Sequence, residues 1–472
     1  MTTRIRRLLP VALLFLSAAA VPAPGAPKPA GGVRLPSYRA LTLQNGMTVL
    51  LMEQHKVPLV SLNYVVRAGS VADPAGKEGL ASVTAALLRK GTASRTADQI
   101  SEALDFVGAS YSASAGPDFS SGRAEFVKKD VAGGLDLFAD LLLHPVFPEA
   151  EAKKLVAQRV DAIKAAKDSA QGVIRMYFDA YLYGSHPYAR PTGGDERSLA
   201  GISRDDVVKF HAANYVPANV ILSVVGDFDT ADMAKAVTER FGPWAGKGKP
   251  APVSLAAPRA APGKRLLLVD KPDSTQTYFV IGNVGVARNN PDRVPIELVN
   301  TLFGGRFTSM INTALRIKGG LTYGAASGFE MRRAAGPFFI RSYTKNASTE
   351  KALDTALEVL RQLHEKGITE EDLASAKAYT KGTLPPQTLE TSEQLAALLS
   401  ELRLYGLPDA EINDFYARVD AVTLADATRV IATYYPEKDL TFVLVGKAGE
   451  IEPVARKYAT EVKTRPIAEP GF

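Results

Sequence analysis

Metal-binding side chains are scarce in this sequence, which has no cysteine and only five histidines among 472 residues. Without cysteine the chain can form no disulfide, offer no thiolate to a metal and carry no lipid on a cysteine. No two histidines stand three or four positions apart, the spacing that places two ligands on one helical face. A zinc site built on these residue types is therefore not expected. The histidines are His55, His144, His186, His211 and His364.

The sequence also lacks a long apolar run after its first residues, since no later stretch has about 20 uninterrupted apolar residues. Residues 1–23 have a basic start, an apolar stretch from Leu8 to Ala20 and small residues at its end, which is typical of a secretory signal peptide. The alternative is an uncleaved membrane anchor, but the apolar stretch is short for a bilayer and Pro10 interrupts it. We expect a secreted protein with no stable membrane anchor.

Concentrated basic charge is absent as well. The formal net charge is +6, and Arg4, Arg6 and Arg7 supply three of these charges within the predicted signal peptide. The sequence has no arginine-rich helix, no basic run with interleaved aromatic residues and no recognised nucleic-acid motif. A nucleic-acid partner is therefore not expected.

The length of the chain exceeds the size at which one hydrophobic core stops growing, so at least two domains are expected. Residues 245–263 are rich in Pro, Gly and Ala and lack apolar periodicity, which is typical of a linker. This segment separates a first predicted domain, residues 37–244, from a second, residues 264–462.

The two halves repeat one pattern at an offset of about 220 residues, and a repeat of this length indicates two folded domains rather than a solenoid of short units. Nearer the start of each half, Gly108-x-x-Tyr111 aligns with Gly320-x-x-Tyr323. The other matched pairs are Ser203 and Thr423, Asp206 and Asp426, Tyr215 and Tyr435, and Gly226 and Gly446.

Within each half, β-rich and helical patterns alternate, which predicts an α+β fold with helices packed on a sheet. Leu41 to Glu53 is predicted to form a hairpin around Asn45-Gly46, a dipeptide that suits a type I′ turn. Thr96 to Gln99 is a capping box that predicts a helix start, and Gly108 lies just past the predicted helix end. Strands are predicted at 59–66, 220–225, 266–269, 279–281 and 440–445, and long helices at 131–143, 149–166, 350–365 and 392–404.

One segment has the frame of a catalytic helix without its chemistry. Residues 79–92 read GLASVTAALLRKGT. This frame resembles the zinc-binding helix of the pitrilysin/insulinase family of metallopeptidases, whose pattern Gly-Leu-Ala-His-x-x-Glu-His-x-Leu-x-Lys-Gly-Thr supplies two zinc ligands and a general base. The corresponding positions here hold Ser82, Ala85 and Ala86. A hydroxyl and two methyl groups can neither hold Zn²⁺ nor activate a bound water molecule.

The resemblance also implies a third zinc ligand, a glutamate on a later helix, and the best register puts Ala162 at its position. Asp161 is one residue away, and a shift of one residue turns a side chain by about 100° on a helix, so it is a poor substitute. The sequence therefore predicts that this chain lacks the zinc site of the family and binds no metal.

Further blocks of the sequence match the family. Residues 186–228 are similar to the middle of its first half. His186 could be interpreted as a catalytic histidine, but a structural turn before Pro187 is the favoured interpretation, and His211 is predicted to pack at the end of a helix.

The second half retains another part of the family's active site. Residues 315–324, LRIKGGLTYG, are similar to the family element Leu-Arg-x-x-x-Gly-Leu-x-Tyr. By this resemblance, Arg316 binds the substrate peptide and Tyr323 donates a hydrogen bond to the developing oxyanion. Without the resemblance, a surface ion pair for Arg316 and a core position for Tyr323 are the preferred interpretations.

Gly304-Gly305, a few residues upstream, lacks the lysine of a phosphate loop. We interpret the pair as a flexible or closely packed turn rather than a nucleotide site. A loop that touches substrate or partner is a further interpretation of the same residues.

The resemblance implies two homologous α/β halves that form half of a clamshell, which a second polypeptide completes. The family includes pairs in which one subunit has the zinc helix and the other has the Arg/Tyr element, and this chain is similar to the second kind. We expect this chain to be the non-zinc subunit of a heteromeric periplasmic zinc metalloendopeptidase and to be inactive alone. Its expected partners are a homologous subunit that binds Zn²⁺, with which it forms a heterodimer, and a peptide substrate. A non-catalytic periplasmic peptide-binding or scaffold protein is the alternative, and a solitary zinc peptidase would need ligands that the sequence does not offer.

Overall fold

Two six-stranded sheets form the framework of the protein, and each takes all of its strands from one half of the chain. The computed structural model describes residues 32–246 and 253–472. The predicted signal peptide and part of the predicted linker lie outside the described residues. The strands are β1 (Arg39–Thr42), β2 (Thr48–Glu53), β3 (Leu59–Val66), β4 (Ser110–Ala115), β5 (Ser120–Val127), β6 (Val220–Gly226), β7 (Arg265–Asp270), β8 (Gln276–Val284), β9 (Ala325–Phe329), β10 (Pro337–Lys345), β11 (Thr441–Gly446) and β12 (Glu461–Pro466).

Helices pack on both sheets, as the α+β prediction requires. The α-helices are α1 (Leu80–Leu87), α2 (Ala97–Phe106), α3 (Val131–Leu143), α4 (Glu149–Ala166), α5 (Ala170–Tyr183), α6 (Glu196–Ala200), α7 (Arg204–Asn214), α8 (Thr230–Phe241), α9 (Arg293–Asn300), α10 (Met310–Asn312), α11 (Thr349–Lys366), α12 (Glu370–Thr388), α13 (Ser392–Tyr405), α14 (Ala410–Asn413), α15 (Phe415–Ala421), α16 (Leu424–Tyr434) and α17 (Ala448–Ala455). Within the described residues, none of these helices has the length and apolarity needed to cross a bilayer.

The strand order confirms the internal repeat. The first sheet has the order β1-β2-β6-β3-β5-β4, and the second has the order β12-β7-β11-β8-β10-β9. In both sheets the second and third strands of this order are parallel, and the third to sixth strands are antiparallel to their neighbours. The halves differ only at the first strand of the order, since β1 pairs antiparallel with β2 whereas β12 pairs parallel with β7.

Local sequence patterns account for most of these elements. The central strand β6 reads VILSVVG and is buried at every position, because helices and loops cover both faces of the sheet there. Capping boxes start α7 and α16, at Ser203 and Thr423, and each of these helices precedes the central strand of its sheet. The predicted capping box at Thr96 is also present and starts α2. The predicted helices 131–143 and 149–166 are confirmed as α3 and α4.

The predicted hairpin is confirmed, but its turn type is wrong. Strands β1 and β2 pair antiparallel and are joined by the loop 43–47. A type I′ turn needs positive φ at both central residues, and here Gly46 has φ 88° whereas Asn45 keeps a negative φ. The Asn45 side chain makes a long-range contact instead. Its amide donates to the Phe241 carbonyl oxygen at 2.7 Å and so holds the end of α8 against the hairpin.

One helix from each half packs against the sheet of the other half. In the first half, α5 packs Val173, Tyr177 and Phe178 against β7, β8 and β11 of the second sheet. In the second half, α13 packs Leu395 and Leu399 against β2 and β6 of the first sheet. The domain boundaries at 244 and 264 stay a prediction. Because α5 and α13 each pack on the sheet of the other half, neither predicted segment contains all the helices that cover its own sheet.

Candidate functional site

The segment that resembles a zinc helix forms α1, and its beginning is held by a buried carboxylate. Asp73 accepts hydrogen bonds from the backbone amides of Gly79 and Ala81, both at 2.8 Å. Burial raises the pKa of the Asp73 carboxyl to about 7, although the two amides favour its charged form. The helix frame is therefore intact, and only the side chains that would bind zinc differ from the family pattern.

An arginine contacts Ser82, the residue at the position of the first family ligand. Nη1 of Arg159 donates to the Ser82 hydroxyl at 2.7 Å, and Nη2 donates to the Ser82 carbonyl oxygen at 3.1 Å. Arg159 lies on α4 and has no ion-pair partner within the described residues. Burial lowers the pKa of its guanidinium, which remains a cation at neutral pH. The arrangement places a positive charge against α1, where the family pattern would place Zn²⁺.

The other substituted positions offer no ligand atoms. Ala85 is buried in the helix packing and Ala86 is half-buried. Ala162 is exposed on α4, one turn beyond Arg159. Asp161 is also exposed and pairs with Lys164 at 3.7 Å, so it is directed away from α1. In the part of the chain that the structure describes, no group of three or more His, Asp or Glu side chains is placed to hold a metal ion.

No role was predicted for Arg159, although its position in the sequence carried a signal. Arg159 stands three positions before Ala162, the predicted equivalent of the third zinc ligand, and residues three apart share a helical face. A basic residue on the ligand face of α4 could therefore have been considered a replacement for the metal. The contact itself joins residues 77 positions apart and depends on how α4 packs against α1.

Two histidines of the first half have structural roles, as predicted. His186 precedes a short 3₁₀ turn and accepts a hydrogen bond from the Tyr188 amide at 3.1 Å. His211 lies near the end of α7, where its ring stacks on Tyr215 at 4.6 Å and contacts Phe147 at 5.3 Å. Burial lowers the pKa of His211 to about 4, so the ring is neutral at pH 7.

Two π-helical segments, Thr301–Gly305 and Thr313–Lys318, form the region of the Arg/Tyr element, with Arg316 inside the second segment and Tyr323 after it. Widened turns of this kind are frequent at functional sites. Gly304 is buried in the first segment, and a Cβ there would lie 2.3 Å from the backbone nitrogen of Ser327 in β9. The closely packed turn predicted for Gly304 is therefore confirmed at that residue, while Gly305 is exposed.

Arg316 and Tyr323 both reach the surface. The Arg316 guanidinium lies over the Phe307 ring at 4.8 Å, a cation–π contact. Tyr323 is 81% exposed, so a core position for this residue is wrong. Within residues 32–246 and 253–472, neither side chain makes a hydrogen bond or an ion pair, so the ion-pair interpretation of Arg316 also finds no support.

The repeat makes the exposure of Tyr323 unusual. Its counterpart in the aligned pattern, Tyr111, is 4% exposed, and its hydroxyl lies 3.0 Å from that of Tyr64 in the first core. Gly108 and Gly320 both have positive φ, 63° and 59°. Tyr111 then lies within β4 and pairs with β5, whereas Tyr323 lies two residues before β9, so the aligned tyrosines differ both in exposure and in their position relative to the strand.

A cavity of 510 Å³ adjoins the element and brings several predicted residues together. Gly304, Gly305 and Arg316 line it, along with side chains of α5, β8 and β10. Tyr323 does not line it, although Gly324 does. Asn312 holds the near wall, because its side chain donates to the Phe307 carbonyl oxygen at 2.6 Å and accepts from the Ala325 amide at 3.1 Å.

Comparison with known protein families matches both halves of the chain. Residues 48–196, which include α1, match the family described as insulinase (peptidase family M16). Residues 201–380, which include Arg316 and Tyr323, match the one described as the peptidase M16 inactive domain. The chain belongs to the M16 peptidase family.

Relatives of this M16 chain include proteins named as zinc proteases. It is 24% identical over 410 residues to an uncharacterized zinc protease of Bacillus subtilis, covering 87% of this chain and 98% of that protein. It is 26% identical over 347 residues to an uncharacterized zinc protease of Mycobacterium leprae, covering 72% of this chain and 77% of that protein. These relationships establish a peptidase-like M16 protein.

Solved structures match the M16 fold over the same extent. The crystal structure of a peptidase M16 inactive domain from Pseudomonas fluorescens has a TM-score of 0.81 at 25% identity and covers 87% of this chain and 98% of its own. A protease from Helicobacter pylori has a TM-score of 0.81 at 21% identity and covers 87% of this chain and 100% of its own. The second likeness establishes the fold alone.

Proposed function

We propose that this M16 chain is the non-zinc subunit of a heteromeric periplasmic zinc metalloendopeptidase. In this proposal Arg316 and Tyr323 act on a peptide that is bound at the zinc site of a homologous partner. The observation that carries it is the exposure of Tyr323, whose counterpart in the first half is buried. A tyrosine that folding alone required would be expected in the core, as Tyr111 is.

The surface around the element supports a role in binding. Seven large hydrophobic side chains are exposed in the described residues, and Phe307, Ile317 and Tyr323 are three of them. Exposed apolar groups that concentrate in one short segment are typical of surfaces that meet another molecule. A peptide substrate, a partner subunit or both would cover these side chains.

The chemistry of the two residues suits peptide hydrolysis carried out by another subunit. A phenol can donate a hydrogen bond to a carbonyl oxygen as it becomes negative during attack by water. A guanidinium can donate to a peptide carbonyl oxygen, or bind a carboxylate through two parallel hydrogen bonds. In this proposal the nucleophilic water and the metal belong to the partner, because Ser82, Ala85 and Ala86 supply no ligand.

The partner and the compartment are proposed on separate grounds. The predicted signal peptide at residues 1–23 supports secretion to the periplasm. A half-site without a metal supports an obligate complex with a homologous subunit that has an intact His-x-x-Glu-His helix. An obligate interface of this kind should bury well above about 1,200 Å².

Co-expression with such a homologous subunit tests the proposal. We expect a stable heterodimer in light scattering. We also expect the pair to cleave a peptide library, whereas the partner without zinc and this chain by itself should not. Separate species in light scattering would contradict the proposal. A self-associated dimer without cleavage, or a complex whose cleavage does not depend on this chain, would favour the alternative of a peptide-binding or scaffold protein.

A further inference from the structure

The cavity beside Arg316 carries charge of one sign. Four arginines line it, and no aspartate or glutamate does. We call it the arginine cavity, and its volume is 510 Å³. Its arginines are Arg175 from α5, Arg306 and Arg316 from the segment between α9 and β9, and Arg341 from β10.

Three of these guanidiniums are not neutralised by a carboxylate. Arg175 pairs with Asp179 at 2.9 Å and with Glu330 at 2.6 Å, which leaves it neutralised. In contrast, Arg306, Arg316 and Arg341 have no ion pair within the described residues.

The surroundings of the unneutralised arginines leave their charges available. Arg306 donates from Nη1 to the Ser375 hydroxyl at 2.9 Å, while its Nε is buried without a hydrogen-bond partner in the structure. Arg341 is exposed on β10, and Arg316 lies over Phe307. The lining of the cavity therefore includes three arginines without an ion pair, of which Arg306 also faces a neighbouring cavity beside α12.

Two larger cavities in the described residues have lining residues of both charges, and the cavity beside Arg288 is an example. It has a volume of 730 Å³ and is lined by Arg123, Arg288, Glu297 and Glu401. Arg288 donates to Glu401 at 2.8 Å, and Arg123 pairs with Glu393 at 2.6 Å. Single-sign charge is therefore a property of the arginine cavity and not of the protein's cavities in general.

The walls of the arginine cavity are apolar and aromatic. The Tyr278 and Tyr343 rings stack at 5.1 Å, and the Arg175 guanidinium lies over Phe339 at 4.5 Å. Ile174 and Val280 complete this surface. Charge–charge attraction is stronger beside such walls than in bulk water, since they exclude part of the solvent. The cavity thus combines a surface for a peptide backbone with cations that favour an anion.

We infer that the arginine cavity selects acidic peptides, with carboxylates bound by Arg306, Arg316 and Arg341 close to the position of Tyr323. This inference names the substrate class of the site and rests on the proposed function. A guanidinium matches a carboxylate because two parallel N–H donors meet two acceptor oxygens. A carboxylate from a glutamate or aspartate side chain and one from a peptide C-terminus have this chemistry in common.

Fluorescence anisotropy with the isolated full chain tests the inference, using labelled peptides of equal length. One peptide has glutamates and an amidated C-terminus, the second has glutamines in their place, and the third is the glutamine peptide with a free C-terminus. We expect the glutamate peptide to bind about tenfold or more tightly than the glutamine peptide, since hydrogen bonds between charged groups are the strong ones. This ratio should shrink as salt screens the exposed arginines. Tighter binding of the third peptide instead would identify the C-terminal carboxylate as the bound group.

Two variants and a matched control locate the effect. Arg306→Gln and Arg341→Gln should each lower the glutamate-to-glutamine affinity ratio several-fold. Arg456→Gln removes the same charge just after the C-terminal end of α17, where Arg456 pairs with Glu452 at 2.5 Å, and should leave the ratio unchanged. Arg341 is exposed on its strand, so its replacement should not disturb folding.

The result separates this inference from the proposed function, because binding is measured without the partner. Equal affinities for the glutamate and glutamine peptides, or an equal effect of Arg456→Gln, would overturn the inference even if the reconstituted pair cleaves peptides. Selective binding of the glutamate peptide by a chain that supports no cleavage would leave the inference standing and remove the proposed function.

Discussion

Arg159 donates to the hydroxyl of Ser82 at 2.7 Å and to its carbonyl oxygen at 3.1 Å. This contact joins α4 to α1, the two helices on which the M16 pattern would place its three zinc ligands. A guanidinium therefore contacts the residue at one of the pattern's zinc-ligand positions. The loss of the zinc ligands is thus accompanied by a cation that would repel Zn²⁺. The same side chain joins α4 to α1 by hydrogen bonds.

The first prediction is that the purified chain contains far less than one zinc per chain. Serine and alanine offer no imidazole or carboxylate, and the Arg159 guanidinium opposes a second cation nearby. Elemental analysis of protein from a zinc-supplemented culture gives the measurement. A content of about one zinc per chain, abolished by mutating a small set of residues, would show that a site exists elsewhere.

The second prediction is that Tyr323→Phe lowers the turnover of the reconstituted pair by roughly 10²-fold or more. The change removes only the phenol hydroxyl, so the exposed ring and the assembly should be unaffected. Turnover is measured with a fluorogenic peptide, and light scattering reports the complex. Tyr379→Phe is the matched control, because Tyr379 is another exposed tyrosine, 43% accessible, on α12. Unchanged turnover in the Tyr323 variant would remove the catalytic role.

The third prediction is that Arg316→Ala mainly weakens substrate binding in the same assay. Loss of a charge-assisted hydrogen bond should raise KM by roughly ten- to a hundredfold, since such a bond contributes about 1.5–3 kcal/mol. The value of kcat should change less. Loss of the heterodimer itself would place Arg316 at the subunit interface and contradict its assignment to the substrate.

The fourth prediction concerns acid stability. Burial lowers the pKa of His211 to about 4, below the value of 6.5 for an exposed histidine. Its contribution to the free energy of unfolding is therefore fully present above pH 6.5 and is lost as the pH falls towards 4. His211→Phe keeps an aromatic ring between Phe147 and Tyr215 but cannot titrate. Urea unfolding between pH 7 and 4 should show a shallower loss of stability for this variant.

Asp73 provides the control of opposite sign for the pH series. Burial raises its pKa to about 7, so its contribution is present at low pH and is lost as the pH rises from 3.8 towards 7. Asp73→Asn should therefore steepen the loss of stability on acidification, whereas His211→Phe reduces it. Parallel pH profiles for the wild type and both Asp73 and His211 variants would contradict these assignments.

The fifth prediction concerns the exchanged helices. Leu399 of α13 is 1% exposed and packs against the first sheet, so Leu399→Ala should lower the free energy of unfolding by about 2–5 kcal/mol. Hydrogen exchange should report increased opening of β2 and β6, although they lie more than 170 residues away in sequence. Leu407→Ala, at a partly buried position near the end of the same cluster, is a milder control.

The same exchange predicts the behaviour of isolated halves. Residues 37–244 and 264–472, expressed separately so that β12 (Glu461–Pro466) stays whole, should each expose a sheet face and bind a hydrophobic dye. Mixing or co-expressing the two segments should restore folding if the exchanged helices are what each half lacks. Two well-folded, dye-free halves would show that the covering helices are dispensable.

Local elements could be predicted from sequence because their causes are local. The capping box at Thr96 and the helical periodicity of 131–143 depend on residues within one or two turns. The turn of the first hairpin was predicted incorrectly for a long-range reason. Its dipeptide suits a type I′ turn, but the Asn45 side chain binds the Phe241 carbonyl oxygen 196 positions away instead.

The missing zinc ligands were determined by the sequence alone, because metal binding needs particular atoms and Ser82, Ala85 and Ala86 do not carry them. Only the tertiary structure decided that Arg159 fills this place, that Tyr323 is exposed while Tyr111 is buried, and that each half covers the other's sheet. Residue identity limits the chemistry that is available at a position. Exposure and contact depend on how helices from distant parts of the chain pack over each sheet, and no local pattern in the sequence encodes that.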